Sequence, residues 1–313
     1  MKLLKLIPDN TAIDFLGRRF ITFGFSAFLV IASVVMFMGQ GLNLGIDFLG
    51  GILIEIETDG PAKIGELRSK LGGLGLGEVA LQEFGEPDNV LIRIQRQEGG
   101  DEAQQAAVRV VKDAIGKDVV EYRRTEFVGP TVGAELKRAA IWAVLAAIGA
   151  ILLYIWFRFE WQFGVGAVVA LSHDVISTIG LFSLFQLEFN LATVAAVLTI
   201  AGYSINDTVV VYDRVRENMR RYKKMPLDEL FNISINETLS RTVMTSVTTM
   251  LALIALFVFG GEVIRGFAIA LIWGVLIGTY SSISLAVPLL LYLNPHRGTA
   301  DDGGTEVIEA EAS

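Results

Sequence analysis

The sequence predicts a polytopic α-helical membrane protein with six transmembrane helices and one external α+β domain of ferredoxin-like order between helices 1 and 2. Three observations carry this prediction. Of 313 residues, 52% are hydrophobic and 19% charged, and the mean hydropathy is +0.53, a composition that points to the membrane. Uncharged apolar runs recur at the length a bilayer demands, because a core of about 30 Å takes about 20 helical residues. A single long polar block separates the first two runs and has the periodicities of strands and helices. The chain has no cysteine, so an external domain must fold without disulfides, and thiolate metal sites and thiol nucleophiles are excluded. The net charge of −8 gathers in the polar block and the last residues and gives no pointer to nucleic acid.

Residues 1–19 form a basic N-terminal segment with Lys2, Lys5, Arg18 and Arg19. The run FITFGFSAFLVIASVVMFMG follows, placing helix 1 over 20–40. It is too long for a signal-peptide core and lacks a clean small-x-small cleavage site, so it reads as a retained anchor. Five more spans fall at about 139–157, 163–185, 189–212, 243–260 and 266–292, the last with room for an interfacial turn near Pro288. Trp142, Trp156, Trp161 and Tyr292 lie near span ends, as interfacial aromatics do.

Lys and Arg in short loops set the orientation. The basic N-terminus, the Arg158 turn and the basic segment 213–242, with Arg214, Arg216, Arg220, Arg221, Lys223 and Lys224, all read as cytoplasmic. The turn QLEFN reads as external, and Glu188 within it needs no special role. Only Arg265 dissents mildly. Both termini are therefore expected inside and the domain 41–138 outside. The acidic end of the segment 293–313, DDGGTEVIEAEAS, has a disordered composition.

Within the external block, ILIEIET (52–58) alternates as a half-buried strand. PAKIGELRSKLG (61–72) reads as a helix opened by proline and closed by glycine. VALQEF (79–84) and VLIRIQ (90–95) read as strands around the turn cluster GEPDN. A helix at 101–116 and a strand at 119–128 complete the strand–helix–strand–strand–helix–strand order of a split β-α-β unit. About ninety residues can bury a core without staples.

Chemistry concentrates in three spans. Span four holds Tyr203, Asn206 and Asp207 in AGYSINDTVVVYDRVREN. An ionised Asp at mid-bilayer costs about 2.5–3.5 kcal/mol or more, so it must face protein or water, find a partner, or take up a proton. Span five opens with Arg241, and steps of four, seven and eight place Thr245, Thr248 and Thr249 on one face. Opposite charges on consecutive antiparallel spans suggest a hydrated path. Span three adds His173 and Asp174, followed at i+4 by Ser177 and Thr178. A plainer reading exists for each: Asp207 as a structural partner of Arg241, the threonines as helix-packing glue, His173 as an interior hydrogen-bonded residue. Gly266, Gly274 and Gly278 point to close helix contacts. With only two histidines, a His-rich zinc site is excluded. No metal or cofactor is expected, and no G-x-x-x-x-G-K-[ST] loop supplies nucleotide energy.

GIDFLGG, SHDVISTIG, GYSINDTVVVYDRVREN and LSRTVMTSVTT, in this order and spacing along the chain, resemble the SecF family, a subunit family of the bacterial SecDF protein-export complex. The sister SecD family shares the plan but has a larger external region and lacks the NDTVVVYDRVREN wording. The resemblance implies a non-enzymatic subunit of the bacterial inner membrane that pairs with SecD in an RND-like assembly. That assembly uses the proton motive force to assist the late stage of preprotein translocation through SecYEG, with YajC and YidC as further partners. It places the proton-coupling aspartate on Asp207 and the key arginine on Arg241, with Asn206 beside the aspartate; the helical step of four back from Asp207 adds Tyr203. A small-molecule RND exporter would carry two large external domains in one long chain. An intramembrane aspartyl hydrolase would use Asp174 with Asp207, although no hydrolysis motif surrounds them. A passive translocon scaffold would tolerate loss of Asp207.

Overall fold

The computed structural model describes residues 11–77 and 79–295. The acidic tail, His296 and the first lysines lie outside the described residues. Six helices are long and apolar enough to cross a membrane. They are α1 (Arg19–Gln40), α5 (Pro130–Arg158), α6 (Trp161–Phe185), α7 (Leu191–Arg221), α8 (Leu227–Phe259) and a sixth span built from α9 (Glu262–Ser281), a π-helical turn (Ser282–Ala286) and α10 (Val287–Leu293).

The helices form an inner and an outer set. Half or more of the apolar windows of α6, α7 and the sixth span are buried, against 11%, 6% and 11% for α1, α5 and α8. Small residues allow the inner contacts. A Cβ at Gly274 would overlap Ile200 of α7, and one at Gly278 would meet Ser204. These two glycines therefore serve packing within the chain. Tyr212 is fully buried among Phe159 and Phe163 and donates to the Ala286 carbonyl at 3.2 Å.

Two boundaries differ from expectation. The basic segment 213–242 is helical except for a short turn at 222–226, because α7 continues to Arg221 and α8 begins at Leu227. The extensions hold each other through Arg214–Glu237, at 2.7 Å, and Asn218–Ser234, at 2.9 Å. The segment before α1 lies on them, with Ile13 and Phe15 N–H donating to Asn236 and Asn232. No turn occurs at Pro288. It sits inside α10, just after the π-helical turn. Proline removes a donor and crowds the carbonyl four residues back, here Ser284, and the Thr22 hydroxyl of α1 donates to that carbonyl at 3.1 Å.

The α+β domain comprises β2 (Gly51–Thr58), α3 (Ile64–Gly72), β3 (Val79–Phe84), β4 (Glu86–Ile94), α4 (Gly100–Ile115) and β5 (Val119–Val128), preceded by β1 (Asn43–Leu44) and α2 (Ile46–Leu49). The sheet order is β3-β4-β2-β5, antiparallel throughout. Ile52, Ile54 and Ile56 of β2 pack under Leu67 and Leu71 of α3 and Val111 and Ile115 of α4. Leu53, on the other face, packs with Ile46 and Leu91. Central β2 is thus buried on both faces, more than its alternation suggests, because Ile46 of α2 and the neighbouring Phe84 and Val128 cover the second face. The expected turn GEPDN is mostly strand; the chain reverses at Gly85, with φ of 83°.

The domain is fastened to the bundle. β1 pairs in parallel with β6 (Glu188–Phe189). Arg93 of β4 bonds Asn43 and Glu188, both at 2.8 Å. Glu188, expected to be unremarkable, is half of this clasp. Asp47 of α2 accepts from the Leu191 N–H at 2.9 Å, and Asn190 caps the same helix end through a capping box with Thr193. This satisfies amides left open at a helix start.

Candidate functional site

Asp207 lies on α7 about 24 Å along the axis from Leu191. It is buried, at 7% exposure. Its Oδ1 accepts from the Thr242 hydroxyl of α8 at 2.7 Å, while its Oδ2 is buried without a hydrogen-bond partner. The Ser282 hydroxyl stands alongside the carboxyl and bonds Thr208 at 2.9 Å. A buried carboxylate needs more donors than this or a nearby cation. An open oxygen is also where a proton can add.

Arg241 comes within coulombic reach of Asp207, but its side chain is exposed. Among the described residues no ion pair joins the two. The inward face of α8 is instead Thr242 and Ser246. Thr242 holds Asp207, and Ser246 bonds Thr279 at 2.6 Å and Tyr203 at 3.4 Å. The expected stripe Arg241–Thr245–Thr248 lies one residue off, facing outward. The Thr245 and Thr248 hydroxyls bond carbonyls of their own helix. Thr249 is half-buried, and Asn206 beside Asp207 is exposed.

Asp174 of α6 has no exposure and His173 has 3%. The carboxylate accepts from Ser204 of α7 at 2.6 Å and Ser281 of α9 at 2.8 Å, both on Oδ2. Its Oδ1 meets His173 Nδ1 at 2.9 Å. Ser177 and Thr178 bond the Asp174 carbonyl and brace the helix. Three spans therefore meet at Asp174, and three, α7, α8 and the sixth, meet at Asp207. Thr242, Ser204, Ser281 and Ser282 were not singled out in the sequence. The serine-rich stretch YSSIS in an otherwise apolar span was the available pointer. Among the described residues no cluster of His, Asp and Glu could hold a metal ion.

Comparison with known proteins identifies the family. The family "Protein export membrane protein SecD/SecF, C-terminal" matches residues 108–296, and the "SecD/SecF GG Motif" matches 35–62. The chain is 49% identical over 304 residues to protein translocase subunit SecF of Cereibacter sphaeroides, covering 94% of each. It is 45% identical over 290 residues to that of Rickettsia bellii, covering 92% of this chain and 95% of the relative. The chain belongs to the SecF family. The crystal structure of SecDF, a translocon-associated membrane protein, from Thermus thermophilus superposes on it with a TM-score of 0.84 at 37% identity. That match covers 92% of this chain and 40% of the SecDF chain, so the chain spans well under half of that protein. SecDF in a super-membrane-facing form matches with a TM-score of 0.67 at the same identity. As a SecF-family member the chain is a multi-pass membrane protein with a role in protein export.

Proposed function

We propose that this chain pairs with a SecD subunit and couples the proton motive force to the late stage of preprotein translocation through SecYEG. In this reading the domain 41–138 faces the periplasm, both termini face the cytoplasm, and YajC and YidC are accessory contacts. The observation that carries the proposal is Asp207: a carboxyl deep in an apolar helix, with one oxygen held by Thr242 and the other open. Proton addition at Oδ2 removes a charge from a buried site, and proton loss restores attraction to Arg241. The two states favour different packings of α7 against α8.

One proton crossing delivers about 2.3 kcal/mol per 100 mV, a bias of tens-fold on a two-state motion. The outward stripe of Arg241, Thr245 and Thr248 supports a partner subunit on α8, because a guanidinium at this depth needs an anion or water. Tyr203, Asn206, Asp174, His173 and Thr249 complete the proposed polar path. Two SecDF structures, one of them in a super-membrane-facing form, fit this chain unequally at equal identity.

The test is gradient-driven export into membrane vesicles. Asp207→Asn and Arg241→Met are expected to abolish the gradient-dependent part while SecD pairing, measured by co-purification, persists. Full export by either assembled variant overturns the coupling and leaves a passive translocon component.

A further inference from the structure

His173 and Asp174 hold more hydrogen-bonding capacity than a structural contact uses. Ser204 and Ser281 both donate to Asp174 Oδ2, the pattern of an ionised, acceptor-only carboxylate. With Asp174 ionised, His173 Nδ1 carries the hydrogen that bonds Oδ1. The remaining ring nitrogen, Nε2, is buried without a partner. In this state the pair holds one uncompensated negative charge at no exposure, a costly condition.

We propose that His173 and Asp174 form a second proton-holding site, distinct from Asp207, in which a proton adds to the lone pair of His173 Nε2 while Asp174 stays ionised. Uptake takes the pair from a charge of −1 to a neutral imidazolium–carboxylate couple; release returns the proton from the same nitrogen. The groups facing the pair are hydroxyls and one phenol. Ser204 comes from α7, and Ser281 and Tyr280 from α9, the Tyr280 ring 6.1 Å from the imidazole. Tyr280 in turn bonds the Thr22 carbonyl at 2.7 Å and Ser26 at 3.0 Å on α1. Among the described residues no lysine or arginine bonds either member, so Nε2 is the place where the compensating charge can arise.

The site stands on the α1 side of the bundle, whereas Asp207 stands on the α8 side. Ser204 precedes Asp207 by three residues on α7, and Ser281 adjoins Ser282, which bonds Thr208. The two sites are therefore linked through α7 and the sixth span. Use of the second site in export rests on the proton-driven reading above; its capacity to hold a proton does not.

The chain has two histidines, His173 and His296, so His296→Gln leaves a single imidazole. This variant, labelled with ring-15N histidine and assembled with unlabelled partner in lipid, is examined by solid-state NMR between about pH 8 and pH 5. The expected result is one ring nitrogen, Nδ1, protonated throughout and the other, Nε2, gaining its proton within the range. In Asp174→Asn the ring is expected to remain singly protonated to the acidic end. A ring that never changes, or that titrates identically in Asp174→Asn, overturns the proposal.

Export separates the two ideas. His173→Gln keeps a donor toward Asp174 but holds no extra proton, and is expected to flatten the pH profile of gradient-driven export. If Asp207→Asn abolishes that export while assembled His173→Gln keeps the parental profile, the second site's role in export falls and the first stands. If Asp207→Asn exports normally, the reading of Asp207 fails, and the NMR result alone decides whether His173 holds a proton.

Discussion

Gly166 has no room for a methyl group. A Cβ there would overlap the Tyr212 hydroxyl and press on the Ala286 carbonyl, where the neighbours are helix backbone and a fully buried ring. Overpacking of this kind costs about 1–3 kcal/mol. Gly166→Ala is expected to lower the unfolding midpoint of the purified protein, and Tyr212→Phe, which removes the crowded oxygen, is expected to recover part of the loss. Strict additivity in the double variant would show that the two do not share a contact. Of the site residues, Asp207 and Asp174 were legible because a carboxyl in an apolar run stands out by cost alone. Thr242 and Ser282 were not, because single hydroxyls in helices are common and usually bond their own backbone. Which face of α8 turns inward depends on packing against α7 and α9, and a one-residue rotation there separates the Thr242–Ser246 face from the Arg241–Thr245 face.

The clasp between the domain and the bundle belongs to the scale of elements. Gly50 and Gly51, both with positive φ, join α2 to β2, and a Cβ at Gly51 would meet the Ile94 carbonyl at 2.7 Å. The chain thus turns sharply from the segment that caps α7 into the central strand. The Arg93–Glu188 pair is about one-fifth exposed on each side, so it is less screened than a surface pair. Arg93→Gln and Glu188→Gln are each expected to raise hydrogen exchange over residues 41–51. The double variant is expected to exceed either single by little, and the charge swap Arg93→Glu with Glu188→Arg to restore part of the protection. Independent, additive effects would remove the clasp as a unit. None of this was visible in the sequence, since a short polar turn carries no periodicity and its partner strand lies far along the chain. The α7 and α8 extensions escaped for a related reason. A basic run marks where the membrane ends, not where the helix does.

At the scale of the molecule, the α+β domain encloses its own core between one sheet face and two helices. Residues 51–128 expressed alone are expected to melt cooperatively by circular dichroism. A featureless melt would mean that the second face, closed by Ile46, is required. The number of spans and the strand–helix order of the domain were legible because each rests on a local pattern repeated over many residues. The division of six spans into an inner and an outer set was not, because lipid-facing and protein-facing helices are both apolar.

The length of α7 has a geometrical consequence. It is an uninterrupted rod of 31 residues, bound near one end by Asp47 and near the other by Glu237, with Asp207 between them. A tilt of about 10° pivoting at Asp207 would carry the Leu191 end sideways by about 4 Å. That lever arm turns an angular change too small to break the bundle into a displacement wider than the hydrogen bonds that fasten the domain.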